Sequence, residues 1–140
     1  VPVVIQEAGF DIKFRSMAVQ PGKPLIFATR GNKYLVALPG NPVSSFVQFE
    51  LIVKHLIRLL TGDTSPEMKL KLPMGVDYQR RNTSRKGFFP VYVTPEGFAM
   101  PVNYHGSAHI HSYIHAHGIV SIAIGETGIN KGTLVDVRLV

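Results

Sequence analysis

The sequence predicts an α/β unit, a hairpin-containing sheet with helices, followed by a small all-β, barrel-like unit. Two apolar runs, residues 25–30 and 33–38, flank Gly31 and Asn32, a pair that accepts the positive φ angles of a two-residue hairpin turn. Helical periodicity then extends over residues 43–60, and the apolar runs that follow are short and closely spaced. A hairpin and a helix before a series of short strands indicate two successive architectures.

A boundary between the two units is predicted at residues 62–66, where Gly, Asp, Thr, Ser and Pro follow one another. Such a composition is typical of a linker. We therefore expect one domain over residues 1–62 and a second over residues 65–140. The chain begins at Val1 with what reads as a helix already under way, so we expect it to be a piece of a longer protein.

The composition excludes several classes of protein. The 140 residues include 15 Lys and Arg against 9 Asp and Glu, which gives a formal charge of +6. The 45% hydrophobic and 17% charged residues favour a globular fold over disorder. The absence of cysteine excludes disulfides, thiolate zinc sites and cysteine nucleophiles. No apolar run reaches the roughly 18 residues of a membrane-spanning helix, so we expect a soluble intracellular protein without a membrane partner.

The first unit is predicted as helix, strand, loop, hairpin and helix. Residues 3–9 read as the last turns of a helix that stops at Gly9, and residues 11–19 alternate like a strand. Two prolines within residues 20–24 cannot continue that strand and indicate a tight, stiff loop. The hairpin strands barely alternate, so we expect both of their faces to be buried.

The long helix has start and stop signals, and the second unit has turn signals. Asn41 suits the N-cap, Pro42 the first helical residue and Gly62 the stop. Five short strands with a turn at residues 95–97 indicate a small sandwich or barrel. These strands are expected at residues 69–72, 88–94, 98–102, 119–124 and 134–140.

The junction between the hairpin and the long helix is a candidate anion site. Its residues are Pro39, Gly40, Asn41, Pro42, Val43, Ser44 and Ser45. The first turn of a helix carries backbone N–H groups without intrahelical partners and the positive end of the helix dipole, so the amides and hydroxyls of this turn could face a phosphate. An ordinary capped helix start is the alternative reading.

Two basic segments are further candidates for anion binding. Lys23 stands between Pro21-Gly22 and Pro24, and a rigid loop reduces the entropy that its side chain loses on ordering. Residues 80–86 carry four positive charges, and arginine offers an oxyanion a bidentate geometry that lysine cannot reproduce. Solvated loops that keep the protein soluble are the alternative reading of both segments.

Five of the six histidines lie in residues 105–117. In a helix, His111 and His115 would share one face at a spacing that zinc sites use, but no Glu follows His111 as a metalloprotease requires. Solvated histidines explain the segment without a metal, and a structural or adventitious metal site is the alternative. We expect no metal ligand in this chain.

Taken together, the Pro21–Pro24 motif, the apolar hairpin and the turn at residues 38–45 resemble the molybdopterin molybdenumtransferase family, of the MoeA and gephyrin E-domain type. The order and spacing of the motifs match as well, and the similarity covers essentially the whole chain. Shorter similarities follow at Ser84-Arg85, Phe88, Gly106-Ser107, Ala116-His117-Gly118 and Lys131-Gly132. The two proline-glycine motifs around one hairpin are the specific part of the resemblance.

The resemblance implies a cytoplasmic, homodimeric enzyme that inserts molybdenum from molybdate into adenylylated molybdopterin, with magnesium and with release of AMP. It implies that residues 1–62 are the C-terminal part of the α/β, MogA-like molybdopterin-binding domain and that residues 65–140 are the small C-terminal β-barrel domain. The family's glycine-rich segment and its magnesium carboxylates are not among these residues. The resemblance therefore implies that the 140 residues alone are inactive.

By the same resemblance, Lys23 is the catalytic residue and both units contribute cofactor-binding residues. The first unit contributes Pro21, Gly22, Lys23, Pro24, Pro39, Gly40, Asn41, Pro42, Ser44 and Ser45, and the second contributes Arg85, Gly106 and Ser107. The implied ligands, pterin phosphate, pyrophosphate and molybdate, are all anions. Helix amides, lysine and arginine suit such ligands.

Three positions depart from the family's usual pattern and leave a second function open. Gln20 stands where a lysine is usual, Gly87 near a usual acidic residue, and Pro90 in place of a basic residue. A non-catalytic scaffold or inactive paralogue of the same family is therefore an alternative to the enzyme.

A nucleic-acid-binding small barrel is a third reading, since the chain is basic and its second unit is β-rich. Such a surface needs exposed rings beside its basic residues for base stacking. The aromatic residues 88, 89 and 92 instead lie in one strand whose alternation buries some of them. We therefore expect no nucleic acid partner.

Overall fold

The structure is a computed structural model, and it describes residues 1–102 and 110–140, with the backbone alone for residues 110–112. Its helices are α1 (Pro2–Glu7), α2 (Pro42–Gln48), a π-helical turn (Phe49–Val53), α3 (Lys54–Thr61) and a 3₁₀ turn (Ile110–His115). Its strands are β1 (Asp11–Ser16), β2 (Val19–Gln20), β3 (Pro24–Arg30), β4 (Lys33–Ala37), β5 (Lys69–Pro73), β6 (Tyr78–Gln79), β7 (Lys86–Val93), β8 (Ala99–Pro101), β9 (Gly118–Ile122), β10 (Gly128–Ile129) and β11 (Leu134–Leu139). None of the described helices is long and apolar enough to cross a membrane.

The predicted hairpin is confirmed as part of a three-stranded antiparallel sheet in the order β1, β3, β4. Gly31 takes φ 57° in the turn, as a two-residue hairpin requires. One face of this sheet packs on α1 through Ile5, Ile26 and Ala28. The expectation that both faces are buried is wrong, because Tyr34 on the edge strand β4 is 47% exposed.

The second sheet has the order β2, β7, β9, β11, β5, with β8 also paired to β7. All five strands predicted after the linker are present, as β5, β7, β8, β9 and β11. Its core contains Met74, Phe89, Val91, Ala99, Val120, Val135 and Val137. Within the described residues no pairing joins the outer strands β2 and β5, so the structure confirms the mostly β character of this part and leaves the barrel unconfirmed.

The strand predicted over residues 11–19 is instead divided between the two sheets. β1 ends at Ser16, and the next amide, that of Met17, donates to the carbonyl of Lys23 at 2.9 Å. This bond turns the chain, so that β2 leaves the first sheet and pairs in parallel with β7, Val19 opposite Lys86 and Gln20 opposite Gly87. The second sheet therefore begins with two residues from the first part of the chain.

The long helix begins and ends where the sequence predicts. The side chain of Asn41 accepts a hydrogen bond from the Ser44 amide at 3.1 Å, and Gly62 ends α3 in the left-handed conformation. The buried side chains of Val43 and Val47 pack against Ile119 of β9. This contact joins the helix to the second sheet.

Charged side chains hold the segment that follows α3, residues 62–69, through ion pairs and hydrogen bonds. Arg58 donates to the carboxylate of Asp63 at 3.0 Å and to the Ser65 carbonyl. Glu67 pairs with Lys69 and with Arg138 of β11, and Arg138 also donates to the Glu50 carbonyl at 2.9 Å. The predicted linker is thus tied to both the helix and the last strand.

We predict that Asp63 titrates far below an ordinary aspartate. Hydrogen bonds from the Ser65 hydroxyl and amide, with a smaller contribution from Arg58, lower the pKa of the Asp63 carboxyl from 3.8 to about 2. Because the folded pKa is the lower one, its stabilising contribution is present above the unfolded value of 3.8 and is lost as the pH falls towards about 2. NMR titration should give this value.

The variant Ser65→Ala removes the hydroxyl hydrogen bond that is the largest cause of the lowered pKa, so it should raise the pKa of Asp63 towards 3.8. The variant Thr64→Ala is the matched control, since the Thr64 hydroxyl is not among the causes of the shift. An equal titration midpoint in the two variants would contradict the assignment of the shift to Ser65.

Candidate functional site

A cleft of about 570 Å³ lies where β2, the loop after it, α2 and β7 meet. It is lined by Gln20, Pro21, Gly22, Ser44, Tyr78, Gln79, Arg80, Arg81, Asn82, Arg85, Gly87, Phe88, Phe89, Pro90 and Tyr113. A neighbouring cleft of about 440 Å³ shares Asn82 and Arg85 with it and adds Ser16, Met17, Ala18, Lys23 and Ser84. Residues from both parts of the chain therefore line two adjoining clefts, which together are called here the anion cleft.

Positive charge without a compensating carboxylate distinguishes the anion cleft. Lys23, Arg80, Arg81 and Arg85 line it, and no Asp or Glu is among its described lining residues. Uncompensated cations in a concave surface concentrate anions there. The cleft beside α3, by contrast, contains Asp63 and Glu67 together with its arginines.

The loop that carries Lys23 is held by its backbone. Met17 donates to the Lys23 carbonyl at 2.9 Å, and the Gln48 side-chain amide donates to the Gly22 carbonyl. Gly22 has φ 100°, and a Cβ there would lie 2.9 Å from Gln48 Nε2 and 3.3 Å from the Ser44 carbonyl oxygen. The Gln20-Pro21 peptide is cis. The glycine therefore allows the loop to lie directly on α2.

The loop at residues 80–85, which follows β6 and is called here the basic loop, is held by hydrogen bonds within itself and to distant segments. The amide and the hydroxyl of Ser84 both donate to the Asn82 side chain, at 3.0 and 2.7 Å. Arg85 extends to the Val19 carbonyl at 3.3 Å, so it joins this loop to β2. The guanidinium of Arg80 is bonded to backbone carbonyls.

The turn before α2 uses most of its own donors. The Ser44 amide bonds to the Asn41 side chain, the Ser45 amide to the Asn41 carbonyl at 2.9 Å, and the Ser45 hydroxyl to the Pro39 carbonyl. These bonds are what a capped helix start needs. Within the described residues, only Ser44 of this turn lines the anion cleft.

The predicted site residues thus divide into three groups. Pro21, Gly22, Lys23, Ser44 and Arg85 come together in the anion cleft. Those that do not line it, although they are described, are Pro24, Pro39, Gly40, Asn41, Pro42 and Ser45. Gly106 and Ser107, together with His105 and His109, lie outside the described residues.

The sequence indicates residues 80–86 as a candidate anion-binding segment, but it singles out Arg85 alone in that run as a site residue, and it does not assign Tyr78 to the site. Arg80 and Arg81 belong to the same run, and nothing in it distinguishes an arginine turned inward from one in solvent. Tyr78 stacks on Phe89 with 3.8 Å between ring centroids. Burial raises the pKa of Tyr78 although Arg80 opposes the shift, so the phenol stays neutral at physiological pH.

Of the three positions that depart from the family's usual pattern, Gly87 has a structural explanation. A Cβ on Gly87 would lie 2.6 Å from Arg80 Nη1, so the glycine makes room for that guanidinium. Pro90 is buried in β7, where its carbonyl accepts from the Val102 amide at 3.0 Å. The Gln20 side-chain oxygen is buried without a hydrogen-bond partner among the described residues.

No group of three potential metal ligands occurs in the described part of the chain.

The fold and the cleft define a β-rich unit with a basic cleft lined by residues of both parts of the chain. The family model described as "MoeA C-terminal region (domain IV)" matches residues 71–140. The molybdopterin molybdenumtransferase of Synechococcus elongatus is 29% identical over 140 residues, 99% of this chain and 34% of that protein. The molybdenum cofactor synthesis protein cinnamon of Drosophila melanogaster is 44% identical over 62 residues, 44% of this chain and 10% of that protein.

A solved structure agrees with the sequence comparisons. The molybdopterin biosynthesis moeA protein from Pyrococcus horikoshii OT3 superposes with a TM-score of 0.81 and 26% identity, over 96% of this chain and 33% of that one. The chain belongs to the MoeA family of molybdopterin molybdenumtransferases. It spans about a third of the length of the Synechococcus and Pyrococcus relatives.

We predict that Gly22→Ala destabilises the protein more than an equivalent change in open space. Its positive φ should cost about 1 kcal/mol, and displacing Gln48 and the Ser44 backbone should cost about 1–3 kcal/mol more. Gly97→Ala is the control, because Gly97 has φ 84° and a Cβ there meets nothing within 4 Å. Urea denaturation of both variants measures the difference, and equal losses of unfolding free energy would contradict the close contact.

Proposed function

We propose that this chain is the C-terminal part of an enzyme that inserts molybdenum from molybdate into adenylylated molybdopterin, with release of AMP. The observation that carries the proposal is the charge of the anion cleft. Lys23 and three arginines line it, and no carboxylate is among its described lining residues. Membership of the MoeA family supports the choice of substrates. The reactants are all anions, and fixed cations suit each of them.

Binding and orientation of anions are the roles that these residues can perform. Lys23 contributes a charge on a loop held at Gly22 and at its own carbonyl, and Arg85 contributes one that is anchored on the Val19 carbonyl. A charge whose backbone or side chain is already held loses less entropy when the ligand arrives than one on a freely moving loop. Lys23 is our candidate catalytic residue, since it can neutralise charge on an oxyanion as the reaction proceeds.

We further propose the arrangement that the family resemblance implies for the complete protein. Residues 1–62 belong to its α/β molybdopterin-binding domain and residues 65–140 form its C-terminal domain. The enzyme acts as a cytoplasmic homodimer with magnesium. The magnesium ligands are expected outside these residues, and the described part of the chain contains no group of three potential metal ligands. Pro24, the Pro39–Ser45 turn, Gly106 and Ser107 remain proposed cofactor contacts.

A non-catalytic scaffold of the same family is the second candidate function. Gln20 favours it, because a neutral amide lines the anion cleft beside Pro21, where the family usually has a lysine. The two candidates differ in the complete protein, which should insert molybdenum if it is an enzyme and should only bind the anions if it is a scaffold.

We predict that Lys23→Ala weakens molybdate binding about ten-fold or more, since a charge-assisted hydrogen bond contributes about 1.5–3 kcal/mol. The unfolding free energy should change by no more than about 0.5 kcal/mol. Lys33→Ala is the matched control, because Lys33 is an exposed lysine of β4 that does not line the cleft. Isothermal titration with molybdate and a melting curve on each variant measure both effects. Equal affinities in Lys23→Ala and Lys33→Ala would move the site away from this loop.

We also predict that residues 1–140 alone do not convert adenylylated molybdopterin to molybdenum cofactor. The reason is that the chain spans about a third of the length of its relatives, and the glycine-rich segment and magnesium carboxylates that the family resemblance implies are not among its residues. A complete protein that includes this sequence is the control and should be active in the same assay. Turnover by the 140-residue chain alone would contradict this prediction.

A further inference from the structure

Arg80 lines the anion cleft, yet its guanidinium is directed at the protein backbone. Its Nε donates to the Glu126 carbonyl at 2.8 Å, one terminal nitrogen to the Arg85 carbonyl at 2.7 Å, and the other to the Ala123 carbonyl. One side chain therefore joins two loops that are more than 40 residues apart in sequence. We propose that Arg80 is a positioning residue, which sets the direction of Arg85 in the anion cleft. The inference rests on the proposed function of that cleft.

Backbone contacts show that the two loops are joined along their length. The Arg80 amide donates to the Thr127 carbonyl at 2.8 Å, and the Gly125 amide donates to the Thr83 carbonyl at 2.9 Å. The side chain of Arg80 completes this join at Arg85. The turn at residues 123–127 therefore supports the basic loop, although it does not line the cleft itself.

The contact with Arg85 connects Arg80 to ligand binding. Arg80 fixes the carbonyl of Arg85, while the Arg85 guanidinium reaches the Val19 carbonyl at 3.3 Å. Both ends of Arg85 are thus held, its backbone by Arg80 and its side chain by β2. A guanidinium in a fixed orientation can present its bidentate edge to an oxyanion at little entropic cost.

Gly87 leaves the space that the Arg80 guanidinium occupies. A Cβ at this position would lie 2.6 Å from Arg80 Nη1 and 2.5 Å from Ile122 Cγ2. Any side chain there would force the Arg80 guanidinium away from the Arg85 carbonyl. Gly87→Ala therefore disturbs the position of Arg80 without changing any charge.

The shape of arginine is what this role requires. A guanidinium has five N–H donors in a planar fork and can bond to three carbonyls in different directions. Lysine carries the same charge on a single nitrogen and cannot reproduce that geometry. Arg80→Lys therefore separates the positioning of Arg85 from the positive potential of the cleft.

The test is isothermal titration of the protein and its variants with molybdate. We expect Arg80→Lys to weaken binding about ten-fold at unchanged net charge. Arg30→Lys is the matched control, because Arg30 also donates to a carbonyl, that of Ala8, and does not line the anion cleft. Gly87→Ala should weaken binding similarly, and the double variant Arg80→Lys/Gly87→Ala should be no weaker than Arg80→Lys.

A double-mutant cycle with Arg85→Ala distinguishes positioning from a general loss of structure. If Arg80 acts through Arg85, the Arg80→Lys substitution should cost little further affinity in the Arg85→Ala protein. Additive losses would overturn the proposal. So would an affinity for molybdate in Arg80→Lys equal to that in Arg30→Lys, or an Arg80→Lys protein that does not fold.

The wild-type titration separates this inference from the proposed function. No molybdate binding by the wild-type protein would refute the proposed function of the cleft, and the inference with it. Binding by the wild type that is lost in Lys23→Ala and unchanged in Arg80→Lys would retain the function and refute only the positioning role.

Discussion

Two residues of backbone pairing determine the geometry of the anion cleft. β2 is only Val19 and Gln20. Its parallel pairing with Lys86 and Gly87 nevertheless places the loop that carries Lys23 beside the basic loop. The hydrogen bond from Met17 to the Lys23 carbonyl makes this pairing possible, because it turns the chain out of the first sheet. Without that turn, Lys23 and Arg85 would belong to separate surfaces.

The glycines at Gly22 and Gly87 perform related tasks on the two sides of the cleft. Each occupies a place where a Cβ would displace the side chain that fixes its loop, Gln48 in one case and Arg80 in the other. Close backbone approach thus holds both loops that line the cleft.

Much of the fold could be predicted because local chemistry determines it. The hairpin turn at Gly31-Asn32, the Asn41 cap and the Gly62 stop each depend on a few neighbouring residues. β2, β6 and β10 could not be predicted, since two-residue strands have no periodicity and are held only by distant partners. The orientation of Arg80 was equally hidden, because it depends on carbonyls of residues 123 and 126 and on the space at Gly87.

The position of β11 has a consequence for the synthesis of the protein on the ribosome. β11 pairs with both β5 and β9, and its Arg138 bonds to the carbonyl of Glu50, 88 residues earlier. While the chain emerges, β5 lacks its pairing partner and the Glu50 carbonyl lacks its bond to Arg138, because β11 has not yet been translated. Contacts so distant in sequence form slowly. The nascent chain therefore leaves β5 without a strand partner, and β9 with one unpaired edge, until residue 139 has left the exit tunnel.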